Sequence, residues 1–315
     1  MVHVVPIDNP RVAGLVSRML EAPDHVVTAR VHGVRVPLVD ESDAERLAAL
    51  AAGGPASAGW RAWCAIVGSP DTAVPEQVVG YASVARSRVS AVAELVAAAD
   101  GPAWDPLFDR VHRVVGGAGR SVELWIRNVD AGSRARLDAA GLVANRELAV
   151  LGRALDASVS ERVPRRATIR PASLPADRAA IVAVLDAAYR GTADGPWDRA
   201  RFDARAVAGW FRVDDVLVAV DDSDALVGVH WLKRRDARVG EVYNLAVHPD
   251  AHGRGVGGAL LNAGLRHLRD AGLATVILWV DRANPRAAQL YEAAGFTVYW
   301  QDACFAPVSG VLGSA

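Results

Sequence analysis

The strongest constraint on what this chain can fold into is that it carries one series of anchors twice. Gly80-Tyr81 has a counterpart in Gly228-Val229, Glu94-Leu95 in Glu241-Val242, Glu123-Leu124-Trp125 in Ile277-Leu278-Trp279, and Gly141-Leu142 in Gly295-Phe296. Trp125 and Gly141 are sixteen positions apart, and so are Trp279 and Gly295. Agreement over that distance is the mark of an internal duplication, and each copy is then expected to fold around its own core. At 315 residues the chain has room for two such units. The polar, aperiodic segment 156–167, with Pro164, reads as a linker between a half at 1–155 and a half at 168–315.

The second half gives the clearer pattern. An amphipathic helix is predicted over 176–190, apolar strands over 216–220, 226–233 and 240–247, a helix at the 3.6 period over 257–271, a strand over 275–280, a helix over 285–294 and a last strand from 297. Strands and helices are interspersed, in the same order in each half, so each half is expected to be an α/β (α+β) unit. Between the third strand and the long helix runs His252-Gly253-Arg254-Gly255-Val256-Gly257-Gly258. Glycines there let the backbone turn tightly and approach a ligand, and the helix that follows presents unpaired N–H groups and the positive end of its dipole. That is a site for a pyrophosphate, with Arg254 adding charge. The first half lacks this turn. Glu94 to Trp125 spans 31 positions against 38 from Glu241 to Trp279, and the shortfall lies where the first copy has Pro102 and Pro106 in place of glycines.

The stretch LAVHPDAHGRGVGGALL resembles the first cofactor motif of the GNAT acetyltransferases, Q/R-x-x-G-x-G/A, with His252 at its first position. NPRAAQLYEAAGF, from Asn284 to Phe296, resembles the second, N-x-x-A-x-x-L-Y-x-x-x-G-F. The resemblance implies a mixed, mostly antiparallel sheet flanked by helices, in which the strands around Glu241–Val247 and Thr275–Val280 splay apart and acetyl-CoA lies in the gap. It would be held by Leu245, Ala246 and Val247, by His252 to Gly258, and by Asn284, Pro285, Arg286, Ala287, Ala288 and Gln289. Over nearly the whole length the chain is similar to the tandem GNAT enzymes that form mycothiol by acetylating the cysteinyl amine of cysteinyl-glucosaminyl-inositol. GWFRVDDVLVAV, LVGVHWLK, GEVYNLAVHP and VELWIRNVD carry that likeness. It implies that the second domain is catalytic and that Lys233, Asp194, Trp279 and, from the first half, Glu41 touch the acceptor. Lys233 is also the only lysine in the chain. The segment Gly191–Asp198 departs from the family's usual His-Pro-Glu-Gln-Gly, which bears on the acceptor rather than on the cofactor.

Transfer of an acetyl group to an amine needs a base for the amine's proton, a donor for the developing oxyanion and an acid for the leaving thiolate. Glu241 is the expected base, facing the cleft if Tyr243 and Leu245 share its side of the strand. Tyr291 is the expected acid and the Val247 N–H the expected oxyanion donor. The alternatives are a GNAT enzyme acting on another amine (an aminoglycoside, a small metabolite or a protein N-terminus) and a non-catalytic acyl-CoA-binding protein. The first half, without its phosphate turn, is expected to bind acetyl-CoA weakly or not at all.

Composition closes off other classes. With 35 Lys plus Arg against 36 Asp plus Glu, a net charge of −1 exerts no general pull on nucleic acid or an anionic membrane. No apolar run reaches membrane-spanning length, and the N-terminus has neither a basic nor an apolar leader region, so a cytoplasmic protein is expected. Cys64 and Cys304 have no metal-ligand spacing. His248 and His252, four apart, flank a turn rather than a helix face, so no metal is expected. A monomer whose halves pack within one chain is the expected assembly.

Overall fold

The computed structural model describes residues 2–8, 12, 28–31, 34–37, 46–47, 49–50, 58–67, 77–87, 90–115, 121–156, 159, 167–174 and 176–307. Two compact units emerge. One takes in Met1–Ala149, Asp281–Ala283 and Trp300–Ala315; the other takes in Val150–Val280 and Asn284–Tyr299. The sequence reading ran the second half to 315, whereas the contacts group 300–315 with the first unit and 150–155 with the second. Most of the expected linker lies outside the described residues.

In the first unit the strands are β1 (Val2–Pro6), β2 (Thr28–Val31), β3 (Val34–Pro37), β4 (Trp60–Val67), β5 (Gln77–Arg86), β6 (Ser90–Ala97) and β7 (Ser121–Ile126). Its helices are α1 (Trp104–Val115) and α2 (Ala131–Ala139), and β8 (Leu142–Ala154) starts in it. The sheet runs β1-β4-β5-β6-β7, with β14 (Thr297–Pro307) bordering β7, while β2 and β3 form a separate pair. Only β6–β7 is parallel among the paired strands of known register, and that ladder runs from Ser90↔Ser121 to Leu95↔Ile126. The core gathers Leu95, Trp104, Leu107, Val111, Leu124 and Ile126 together with Ala303 and Phe305 from β14. Cys64 and Cys304 are both free and buried, and burial pushes each thiol up to about 12.

The second unit has β9 (Ala167–Pro171), α3 (Arg178–Tyr189), α4 (Arg199–Ala206), β10 (Val216–Asp221), β11 (Leu226–Arg234), β12 (Val239–Val247), α5 (Val256–Asp270), β13 (Thr275–Asp281) and α6 (Pro285–Ala293). Strands β9 to β12 are antiparallel neighbours, and β12 meets β13 in parallel. One face is covered by α3 and α4. There Trp231, fully buried, sits among Phe202 (5.3 Å between ring centroids), Phe211 (5.4 Å), Trp210 (6.0 Å) and Trp197 (6.1 Å). The other face carries α5, whose Val256, Ala259, Leu260 and Leu268 are all buried.

The duplication is visible in the geometry. A Cβ on Gly80 would lie 2.7 Å from Leu107 Cδ1 of α1, and one on Gly228 would lie 2.6 Å from Leu260 Cδ1 of α5, so both copies need glycine where the long helix presses on the second strand. The short helices α2 and α6 are nine residues each. Each begins on a side chain that accepts from the third N–H, Asp130 from Ser133 and Asn284 from Ala287, and each is followed by a glycine with positive φ, Gly141 at 73° and Gly295 at 81°. One anchor pair is not equivalent in register. Glu94 faces Ser83, three positions past Gly80, but Glu241 faces Lys233, five positions past Gly228. The shift includes a bulge in β12 at Tyr243, which falls between Asn244↔Trp231 and Val242↔Leu232.

Candidate active site

The ladder between β12 and β13 holds only Val239↔Thr275, Gly240↔Val276 and Glu241↔Ile277. Beyond Glu241, β12 continues to Val247 with pairing to β11 alone among the described registers, so its other edge is open from Val242 onward. Such an edge can pair with an extended ligand, although here the Val247 C=O already accepts from His252 Nε2 and the Leu245 N–H already bonds Tyr189.

At the far end of that edge the chain turns. Pro249–Ala251 forms one turn of 3-10 helix; Gly253 (φ 77°) and Gly255 (φ 81°) then take left-handed conformations, and α5 starts at Val256. Gly255 is the N-cap and has no side chain to cover the helix end. The Ala259 N–H reaches back to the Gly255 C=O at 3.1 Å, so the N–H groups of Val256, Gly257 and Gly258 lie ahead of the helix's own bonding. His252 is built into the turn. Its Nε2 donates to the Val247 C=O at 3.0 Å, which leaves Nδ1 to accept from Arg286 at 2.9 Å. The imidazole thereby ties the start of α6 to the end of β12. Arg254 donates to the Asp250 C=O, and Asn284 caps α6. Ala287 and Ala288 are half-buried, and Gln289 is exposed on α6. His248 turns to Asp250, so the two histidines have separate partners. Among the described residues no three metal-binding side chains cluster.

At the near end sits Glu241, 7% exposed. Arg235, in the β11–β12 hairpin, donates through a terminal nitrogen to Glu241 Oε2 at 2.7 Å, and its guanidinium lies 5.4 Å from the Trp279 ring centre. The carboxylate is thus buried with a guanidinium partner. Lys233 is directly opposite Glu241, and its Nζ lies 4.6 Å from the centre of Trp210, which packs on Tyr243 at 4.8 Å. Glu241, Lys233, Tyr243 and Trp210 therefore share the face covered by α3 and α4. Leu245 does not. Its side chain packs with Val256 and Leu260 on the α5 face, because the bulge at Tyr243 breaks the alternation assumed from the sequence.

Tyr291 is buried in α6 and packs edge-on to Phe296. Burial pushes its phenol well up, and Tyr189, at the end of α3, adds to the shift. Tyr189 is raised as well, first by burial and then by the Asp194 carboxylate, while a hydrogen bond from the Leu245 N–H opposes this. The structure thus brings Tyr291, Tyr189, the Leu245 backbone and Asp194 to one region, with the rest of Asp194 exposed on its turn. Glu41 lies outside the described residues. Arg235, Trp210 and Tyr189 escaped the sequence reading. No sequence motif marks Arg235, which follows the strand in a pair of arginines, or Tyr189 near the end of the 176–190 helix.

Comparison with known proteins fits this geometry. Residues 180–296 match the acetyltransferase (GNAT) family. A mycothiol acetyltransferase of Rhodococcus erythropolis is 38% identical over 175 residues, which is 52% of this chain and 58% of that protein's length. One of Mycolicibacterium gilvum is 30% identical over 253 residues, covering 78% of this chain and 84% of its own. A solved tandem GNAT protein from the clavulanic acid biosynthesis pathway superposes with a TM-score of 0.65 at 15% identity over 100% of both chains, a likeness of fold.

Proposed function

The chain belongs to the GNAT acetyltransferase family and is an N-acetyltransferase, and from that premise we propose that it acetylates the cysteinyl amine of cysteinyl-glucosaminyl-inositol, using acetyl-CoA, to form mycothiol. The observation that carries the reading is the early end of the β12–β13 ladder at Glu241↔Ile277, with a glycine turn at the far end of the opened edge. The names of the two relatives support the acceptor.

The donor set fits the cofactor. Uncapped N–H groups at Val256, Gly257 and Gly258 suit a pyrophosphate, with Arg254 and Arg286 as flanking charge. His252 to Gly258 would hold the phosphates, Leu245, Ala246 and Val247 the pantetheine amides, and Asn284 to Gln289 the remainder. Bound acetyl-CoA supplies an acyl group activated as a thioester. Glu241 takes the proton of the attacking amine; Arg235 occupies Oε2, so Oε1 is the accepting atom. The Val247 N–H stabilises the charge that develops on the acyl oxygen. Tyr291 would supply the proton for the departing sulfur; its phenol is protonated at neutral pH like any tyrosine, and burial moves it further from ionisation. Lys233, Trp279 and Asp194 contact the acceptor. A protein with one acetyl-CoA site per chain, monomeric and cytoplasmic, completes the proposal; no described helix is long and apolar enough to cross a membrane.

A second reading, another amine as acceptor, is favoured by Gly191–Asp198, which departs from the family pattern next to Tyr189. Incubation with acetyl-CoA and a panel of amines, with thiol release followed and the acceptor's own thiol subtracted, separates the two. Release with cysteinyl-glucosaminyl-inositol alone supports the first, and preference for another amine removes it. Glu241→Gln is expected to bind acetyl-CoA normally and to lose about a hundredfold or more in kcat. Wild-type turnover in that variant would discard the base.

A further inference from the structure

We propose that Arg235 is a positioning residue for Glu241, fixing which carboxylate oxygen faces the amine. The inference rests on the reading of Glu241 as the base. Arg235 is the first residue of a tight hairpin: its own N–H donates to the Val239 C=O at 2.9 Å, and Asp236 Oδ1 accepts from the N–H groups of Arg238 and Val239 at 2.6 and 2.8 Å. The backbone from which the guanidinium extends is therefore fixed. The side chain is 11% exposed, lies 5.4 Å from the Trp279 ring centre and donates to Glu241 Oε2 at 2.7 Å, while the carboxylate's side chain is 9% exposed. One oxygen is thereby occupied by a charge-assisted hydrogen bond, which leaves Oε1 as the one turned to the amine.

Stability alone explains this pair poorly. Taking two charges out of water costs about as much as their attraction returns, and a buried ion pair is often matched by apolar side chains of similar size. Here the cost is raised further, because Arg235 Nε is buried and has no hydrogen-bond partner among the described residues. A base whose lone pair must meet an amine over a fraction of an ångström has a use for such a partner, since a misplacement of about 1 Å can cost a hundredfold in rate.

The first unit shows the same grouping with a different origin. Glu94 accepts from Arg127 Nε at 2.7 Å, and Arg127 lies 5.4 Å from the Trp125 ring centre. There the cation comes from just beyond β7, its own N–H extends the β6–β7 ladder to the Leu95 C=O at 3.2 Å, and it also grips Asp302 at 3.1 Å. In the second unit the cation comes from the opposite neighbour, the β11–β12 hairpin, so it holds the carboxylate without closing the β13 side.

The test uses the full-length protein with acetyl-CoA and whichever amine of the panel the wild type acetylates fastest. Arg235→Ala is expected to lose between about ten- and a hundredfold in kcat with the KM for acetyl-CoA unchanged. Added guanidinium ion at millimolar concentration should recover part of that loss, and Arg235→Lys should lie between the two. In an Glu241→Gln background, Arg235→Ala should cause no further loss, because the two act as one unit. Turnover within twofold of wild type in Arg235→Ala would overturn the proposal. So would a loss that follows acetyl-CoA affinity or thermal midpoint and resists guanidinium. If Glu241→Gln is fully active, the base reading has failed and this proposal falls with it; if Glu241→Gln is slow but Arg235→Ala is not, this proposal alone has failed.

Discussion

His230 is fully buried between β11 and α5, its Nδ1–H donating to the Leu260 C=O at 2.8 Å and its Nε2 without a hydrogen bond. Burial pulls its pKa down from 6.5 to about 4, the Leu260 carbonyl works slightly against this, and His267 adds to the depression. The unfolded chain takes up this proton near pH 6.5, whereas the folded chain refuses it until about 4, so folding loses stability as pH falls across that window. Asp215 acts in the same direction. Burial would raise its carboxyl, but hydrogen bonds from His267 and Arg234 outweigh burial and hold it below the ordinary carboxylate value. Stability from that cluster is present above the unfolded carboxylate's pKa and is lost as pH falls through the lowered one. Urea midpoints are therefore expected to fall between about pH 6.5 and pH 4 through His230 and to fall further below pH 4 through Asp215, and His230→Phe should flatten the part of the slope between 6.5 and 4. An unchanged slope in the variant would mean that the imidazole is not the group responsible.

Helix α5 shows what a helix surrenders in order to sit where the site needs it. Gly264 in its middle costs about 0.5–1 kcal/mol relative to alanine in propensity. A Cβ there would lie 2.2 Å from His230 Cε1, inside contact distance. The clash outweighs the propensity gain, so Gly264→Ala is expected to lower stability by about 1–3 kcal/mol, read as a drop in the urea midpoint; a rise would show that the ring has room to move. Neither the histidine nor the glycine announces this from the sequence, because a mid-helix glycine and a strand histidine become linked only once the two elements are stacked. What sequence does carry is local. The 3.6 period of Val256, Leu260 and Leu268, the caps Asp130 and Asn284, and the glycines after α2 and α6 all lie within a few positions of the features they create. The phosphate turn was legible for the same reason. The bulge at Tyr243, which sends Leu245 to the far face, was not, since an extra residue in one strand shows only against its partner. Helix α4 gave no signal either: half of its RARFDARA is charged and it buries Phe202 alone, too little for a periodic pattern.

At the scale of the molecule, the last strand belongs to the core encoded at the beginning. Ala303, Cys304 and Phe305 of β14 pair with Ile126, Trp125 and Leu124 of β7, and Phe305 is fully buried in the first unit's core. Phe305→Ala is expected to cost about 3–5 kcal/mol, and deletion of 300–315 to unfold the first unit, visible as loss of its unfolding transition in calorimetry. A truncated chain that keeps that transition would refute this assignment of β14. The pairing also limits where the chain can be divided. Cutting at 156–167, where composition suggests a hinge, would leave the upstream fragment without a strand that its sheet requires. The two Glu–Arg–Trp groupings, finally, differ in where the acid's counter-ion is rooted. In the upstream copy the guanidinium that neutralises the acid grows out of the strand that would have to step aside for a guest, so admitting one means tearing out the acid's own counter-ion. Downstream, the same counter-ion is hinged on the neighbouring hairpin, and the doorway can stand open with the lock still in place.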